Sequence, residues 1–275
     1  MRKVLLVILS LVFLISPFVF AGGMNVVRAS TVPPSIISSD TTWTAANSPY
    51  TLSGPTLVAS GATLTIEAGA IVNINTYYLQ VNGTLRAIGS SSNPVQINSA
   101  QNNAGQIKFT ASSTSWNQQT GTGCTIQNAI VNQTVISITN CSVLISGNTF
   151  NDAADMQHLN VAISTNGGSS TISNNNFNLC GLDISDNSAI SNNVIGGGIG
   201  LFDGSPVVSN NQISGRSSYF WIGRSYDRDY DTVAIMRGSP VVSSNTINGV
   251  IGFGAFEYED NGYSIFNHAR HWQHN

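Results

Sequence analysis

From Ile145 onward the chain repeats one pattern of apolar and polar positions. Ile145-Ser146-Gly147-Asn148-Thr149-Phe150 is echoed by Ile172-Ser173-Asn174-Asn175-Asn176-Phe177 and by Ile190-Ser191-Asn192-Asn193-Val194-Ile195. Val208-Ser209-Asn210-Asn211-Gln212-Ile213 and Val242-Ser243-Ser244-Asn245-Thr246-Ile247 follow. The fourth-place Asn recurs at intervals of 27, 18, 18 and 34 residues. A third apolar pair comes after each unit: Val161/Ile163, Leu182/Ile184, Ile199/Leu201, Val233/Ile235 and Ile251/Phe253. Each unit is thus three short period-2 segments separated by Asn, Gly and Ser. Period 2 predicts strands, and the separators predict turns. A unit of roughly 18–25 residues cannot bury its own apolar faces and must stack on its neighbours. The pattern predicts an all-β solenoid of about ten three-strand coils, each strand pairing in parallel with its counterpart one coil away. Val208, Ile213, Val242 and Ile247 should stack inward. The fourth-place Asn fits a positive-φ turn position that bonds to its counterpart in the next coil. Pro206 and Pro240 open strands, where a missing N–H costs least.

The first half fits the same scheme. Leu64-Thr65-Ile66, Ile71 to Ile74, Leu79-Gln80-Val81, Leu85-Arg86-Ala87 and Val95-Gln96-Ile97 alternate, with Gly61, Gly69, Gly83 and Gly89 between them. The run TLVASGATLTIEAGAIVNI and then YLQVNGTLRAIGSSSNPVQINS resembles the opening coils of secreted right-handed parallel β-helix repeat proteins of bacteria and archaea. The later SxxxSNNxI units resemble the repeats of the same superfamily, which includes pectate-lyase-like and periplasmic NosD-like proteins. The resemblance implies a single-stranded right-handed parallel β-helix over residues 50–256, with 22–49 as linker or N-terminal cap and 257–275 as C-terminal cap or tail. It implies no one activity, because this scaffold carries lyases, hydrolases, epimerases, adhesins and inert surface proteins. The chain lacks the Asp-Asp and His-bearing motifs of polygalacturonases, and Lys108 is its only lysine beyond the N-terminal segment. No catalytic residue is carried over.

Two units are interrupted. In the regular units the second and third segments almost touch, Phe177 to Leu182 and Ile195 to Ile199. The gap from Phe150 to Val161 instead holds NDAADMQHLN, and that from Ile213 to Val233 holds SGRSSYFWIGRSYDRDYDT. Both insertions fall at one corner, two regular coils apart, which places them roughly 14 Å from each other along the solenoid. Between them lies a floor of Asn178-Leu179-Cys180-Gly181 and Gly196-Gly197-Gly198. Loops that interrupt a regular solenoid are where binding concentrates. Tyr219, Phe220, Trp221, Tyr226 and Tyr230 offer faces for pyranose stacking, and Arg224, Arg228, Asp227, Asp229 and Asp231 offer hydrogen bonds. Asp155 and His158, with Asp152, stand in the smaller insertion. The competing reading is a long decorated turn whose aromatics pack on the solenoid flank.

Composition narrows the partners. Charged residues are 8% of the 275 and the net charge is -3, a balance that does not suggest nucleic acid, which would want a basic face. Arg2 and Lys3 followed by the apolar run Val4 to Phe20 read as a secretory signal, residues 1–21, with cleavage as late as Ala29; an uncleaved membrane anchor is the alternative. Without Arg2 and Lys3, eight basic residues face 13 acidic ones. Cys124, Cys141 and Cys180 form no CxxC, and Cys124 and Cys141, 17 residues apart, suit a disulfide between adjacent coils. Asp227-x-Asp229-x-Asp231 starts like a calcium loop but has Thr232 where Gly belongs and Gly238 where Glu belongs. His268, His271 and His274 read as a polar terminus rather than a metal face on a helix. Asn82, Asn132 and Asn140 sit in N-x-S/T sequons. No cofactor or metal site is assigned. The expectation is a secreted or cell-surface protein, leaning away from catalysis, that binds carbohydrate or acts in adhesion. The alternative is a polysaccharide lyase or glycoside hydrolase.

Overall fold

The computed structural model describes residues 29–100, 105–151, 160–215, 232–249, 251–253 and 269–271. The signal segment 1–21 lies outside the described residues, as do most of 257–275 and the side chains of all three terminal histidines.

Three sheets run the length of the molecule, of eleven, nine and nine strands. Every strand pairing is parallel and joins strands three places apart in the chain, except the last, which joins two consecutive strands antiparallel. The fold is therefore a parallel β-helix. One coil visits the eleven-stranded first sheet, then the second, then the third. Asn160–Asn166, Thr171–Ser173 and Asn176–Asn178 make such a coil, and Cys180–Ser185, Ala189–Ser191 and Val194–Ile195 make the next. Among the described residues nine coils are complete; Ile251–Phe253 and the antiparallel Ala269–His271 extend the first sheet alone. The first coil begins at Ile36–Ile37 and Thr41–Trp43, which pair with Thr56–Val58 and Thr63–Ile66 inside the stretch read as linker or cap.

Alternation builds the core. Ile145, Ile172, Ile190 and Val208 lie in one ladder, and Phe150, Phe177, Ile195 and Ile213 in another, all 0–1% exposed. Phe150 and Phe177 stack at 4.6 Å between ring centroids. Val242 and Ile247 continue both ladders but are only partly buried, because the coil they belong to is the last complete one. The third apolar pair of one unit is Ile163 and Thr165 rather than Val161 and Ile163. A bulge between Val161 and Ile163 shifts the register, so Ile163 meets Leu182 and Thr165 meets Ile184.

The corner between the second and third sheets is closed by asparagine. Asn148, Asn175, Asn193 and Asn211 are each 1–2% exposed, and with Asn245 they form a continuous ladder. Asn175 Nδ2 and its own backbone N–H both donate to Asn193 Oδ1, at 3.0 and 2.9 Å, and Asn193 does the same to Asn211 Oδ1. Nδ2 of Asn193 also donates to the Ile172 carbonyl. The positive φ belongs to the residue before the ladder: Gly147, Asn174, Asn192, Asn210 and Ser244, all between 55° and 68°. This corrects the assignment of positive φ to the fourth-place Asn. The two places divide the work, the third turning the chain and the fourth tying it to the next coil.

A second amide ladder runs on the outside of the third sheet. Asn98 donates to Asn73, Asn132 to Asn98, Asn151 to Asn132 and Asn178 to Asn151, at 2.7–3.1 Å. Asn132, a sequon residue, thus uses both amide atoms on its neighbours.

The three cysteines are buried and free. Thr125 pairs with Leu144, so the residue facing Cys124 in the next coil is Val143, and the suggested disulfide to Cys141 does not form. Burial pushes the Cys124 and Cys141 thiols up to about 11.

Two measurements follow from this packing. Asn193→Ala strips partners from the buried Asn175 and Ile172 groups, each costing about 1–3 kcal/mol. It should cost roughly 3–5 kcal/mol in equilibrium denaturation, whereas exposed Asn192→Gly should stay within about 0.5 kcal/mol. A thiol reagent at pH 7–8 should find no reactive cysteine in the folded protein and all three after denaturation.

Candidate functional site

The corner from the third sheet to the first is where the chain leaves the regular path. In the regular coils it is tight. Leu179 alone links Asn176–Asn178 to Cys180–Ser185, and Gly196, Gly197 and Gly198 link Val194–Ile195 to Ile199–Asp203. Glycine is required at Gly197 because a Cβ there would strike the Cys180 backbone. The two predicted insertions leave from this same corner. One joins Thr149–Asn151 to Asn160–Asn166, the other Gln212–Ile213 to Val233–Ile235. In the first sheet the strands after them are separated by Cys180–Ser185 and Ile199–Asp203. The spacing read from the sequence therefore holds: three strand steps, about 14 Å. The connection from Val95–Ser99 to Gly105–Phe109 belongs to the same corner two coils earlier, and its residues 101–104 lie outside the described residues.

The residues proposed to line the walls lie outside the described residues. These are Asp155 and His158 in one insertion, and Tyr219, Trp221, Arg224, Tyr226, Asp227, Arg228, Asp229 and Asp231 in the other. The structure does describe what lies between them. The floor is not uniformly short. Leu179 is 59% exposed and has φ 58°, the only residue other than Asn, Gln, Ser or Gly with positive φ among the described residues. A branched apolar side chain in that region carries strain of order 1–2 kcal/mol. Nearby, Val131, Gln133, Thr134, Phe150, Asn151, Ala162 and Cys180 line a small pocket.

Around the corner, the outer face of the first sheet carries one register column: Lys108, Ser137, Ser164, Asp183, Gly200 and Ala234. Asp183 lies on the first of the two strands between the interrupted corners. Its neighbour Gly200 leaves an opening that the Phe202 ring fills. The ring edge and Asp183 Oδ1 lie 2.5 and 3.1 Å from the point where a Gly200 Cβ would stand. No hydrogen-bond donor among the described residues reaches the Asp183 carboxylate, and desolvation by burial raises it from 3.8 to about 6. Lys108, 4.3 Å over the Tyr78 ring, is three strand steps away. Among the described residues no three His, Cys, Asp or Glu side chains converge as a metal site would need.

Neither Asp183 nor Phe202 stood out in the sequence, because both sit in regular strands. The available signal was parity: outward positions in this sheet that are not Ser, Gly or Ala.

The Asp183 shift has a stability consequence. Its folded pKa lies above the unfolded one, so its contribution is fully present below about pH 4 and is lost as pH rises through about 6. Asp183→Asn should raise stability at pH 7–8 by roughly 1–3 kcal/mol, the gain vanishing below pH 4. Thermal unfolding across pH 3.5–8 (about that window) checks this.

No family model matches the chain, and no match emerged among curated proteins or solved structures.

Proposed function

We propose that this is a secreted or cell-surface parallel β-helix of the pectate-lyase-like and NosD-like superfamily, and that it binds an extended polysaccharide without cleaving it. The ligand lies on the first sheet between the two insertions. The observation that carries the reading is the coincidence of the two interrupted connections at one corner, two regular coils apart. A stacked fold has no need of either insertion, and the larger one concentrates the aromatic and charged residues that the coils avoid. Trp221 stacks on a pyranose face, and Tyr219 and Tyr226 extend the platform. Arg224, Arg228, Asp227, Asp229 and Asp231 supply directional hydrogen bonds from this wall, with Asp155 and His158 opposite.

A glycan array and polysaccharide pull-down test this. Wild type should retain at least one polysaccharide, and Trp221→Ala should weaken it about tenfold with Tm unchanged. If wild type retains none, the binding reading falls and a bare scaffold remains. New reducing ends appearing with a retained polymer would replace it with the hydrolase reading.

A further inference from the structure

We infer that Asn248-Gly249, at the carboxyl-terminal end of the solenoid, is a site of spontaneous covalent modification, where the folded chain closes a succinimide and reopens it to isoaspartate. This chemistry is independent of the proposed groove.

The reaction is intrinsic to asparagine followed by glycine. The glycine backbone nitrogen gives its proton to hydroxide and attacks the asparagine Cγ. A C–N bond closes the ring, and ammonia leaves with a proton from water. Water then adds to one of the two ring carbonyls. Cleavage between the nitrogen and the backbone carbonyl carbon leaves isoaspartate; cleavage between the nitrogen and Cγ leaves aspartate. Nothing is oxidised or reduced, and water is the co-reactant. Glycine favours closure because it has no Cβ to obstruct the ring. Two conditions remain. The glycine N–H must be free to lose its proton, and the asparagine amide must be free to swing over it. A hydrogen bond that holds either group has to open first.

Asn82-Gly83, Asn166-Gly167 and Asn248-Gly249 are the Asn-Gly pairs among the described residues; Asn261-Gly262 lies outside them. The first two fail these conditions. Gly83 N–H donates to the Val58 carbonyl at 3.2 Å, and Asn82 Oδ1 accepts from Gln80 Nε2 and Thr110 Oγ1 at 3.1 and 2.9 Å. Gly167 N–H donates to the Ser185 carbonyl at 3.2 Å, and Asn166 pairs with Thr139 on one side and Ser185 on the other. Asn248-Gly249 meets both conditions. Both residues are exposed, and among the described residues no hydrogen bond reaches the Asn248 side-chain amide or the Gly249 N–H. Only the Asn248 backbone N–H is held, by the Ile213 carbonyl at 2.8 Å. The place of the product gives the modification a structural effect. Residues 248–250 join Thr246–Ile247 to Ile251–Phe253. Gly249 has φ 153°, and a Cβ there would strike the Thr232 side chain, so this connection is tight. Isoaspartate adds one carbon to its main chain. It also places a carboxylate in the run Gly238 to Gly249, which holds no charged residue. The added carbon displaces Ile251–Phe253 from its pairing with Val233–Ile235.

Incubation of the full chain at mildly alkaline pH, folded and in urea, tests the inference. Peptide mapping by mass spectrometry follows each Asn-Gly pair, and an isoaspartate-specific methyltransferase reports the isomer. In the folded protein Asn248 should convert within about tenfold of its rate in urea. Asn82 and Asn166 should be slowed by about a hundredfold or more relative to urea, because each waits for its coil to open. Conversion at Asn248 should quicken as pH rises, since hydroxide takes the Gly249 proton. Hydrogen exchange at Ile251–Phe253 should accelerate as isoaspartate accumulates. Asn248→Gln must close a larger ring, so it should stay unmodified and keep its exchange protection over the same period. A folded-state rate at Asn248 no faster than at Asn82 or Asn166 overturns the inference. Conversion at Asn248 with unchanged exchange at Ile251–Phe253 overturns the structural effect and leaves the modification standing.

Discussion

The hydrogen bond from one buried asparagine to the next sets the geometry on which the other elements depend. A parallel β-helix must turn its chain three times per coil and still leave each strand in register with its counterpart. From Asn148 onward the turn between the second and third sheets has two residues, and the second of them is an asparagine, buried in all but the last complete coil. The side chain of Asn193 accepts from the backbone N–H and the Nδ2 of Asn175 in the preceding coil and donates its own Nδ2 to that coil's Ile172 carbonyl. No other short side chain combines two donors with a two-lone-pair acceptor at that reach. From Asn148 onward this corner has two residues in every coil, the Ile and Phe ladders fall into line, and variation in length is confined to the other corners.

That confinement explains what was legible. The repeat Ile-Ser-Asn-Asn-x-Ile is visible because from Asn148 onward every coil turns this corner in the same two residues and the second is a ladder Asn, so strands, ladder and stacking follow from its spacing. The position of the two insertions also follows, since each lengthens the interval between two ladder residues. What the spacing could not disclose lies where the pattern tolerates change. The bulge at Val161 moved the inward pair by two residues because an apolar residue stands at the misread place as well. The facing of Cys124 with Val143 depends on a register set by Thr125 and Leu144, which a residue count between cysteines does not contain. Asp183 and Phe202 are outward residues of ordinary strands, and alternation says where they point but not that they meet over Gly200.

Charge is distributed with the same economy. The coils carry few ionic groups because their outward rows stack like on like about 4.8 Å apart, and identical charges in such a row would repel. Asn, Ser and Thr can be repeated along a column; Asp, Glu, Lys and Arg cannot without cost. Asp183 is tolerated because its column neighbours are Ser164 and Gly200. The insertions escape the stacking rule, and the charges of the second half gather there.

The half-covered Val242 and Ile247 have a mechanical consequence. Each coil touches only the coil before and the coil after it, so the coil that contains them is held from one side in the second and third sheets. Tension on the carboxyl terminus would peel the solenoid from that end, coil by coil. A regular coil of 18 residues would release roughly 60 Å of slack. The interrupted coils would release more, since their insertions add length without adding ladder bonds. A chain anchored at its amino end would then yield in steps whose sizes report where its loops are.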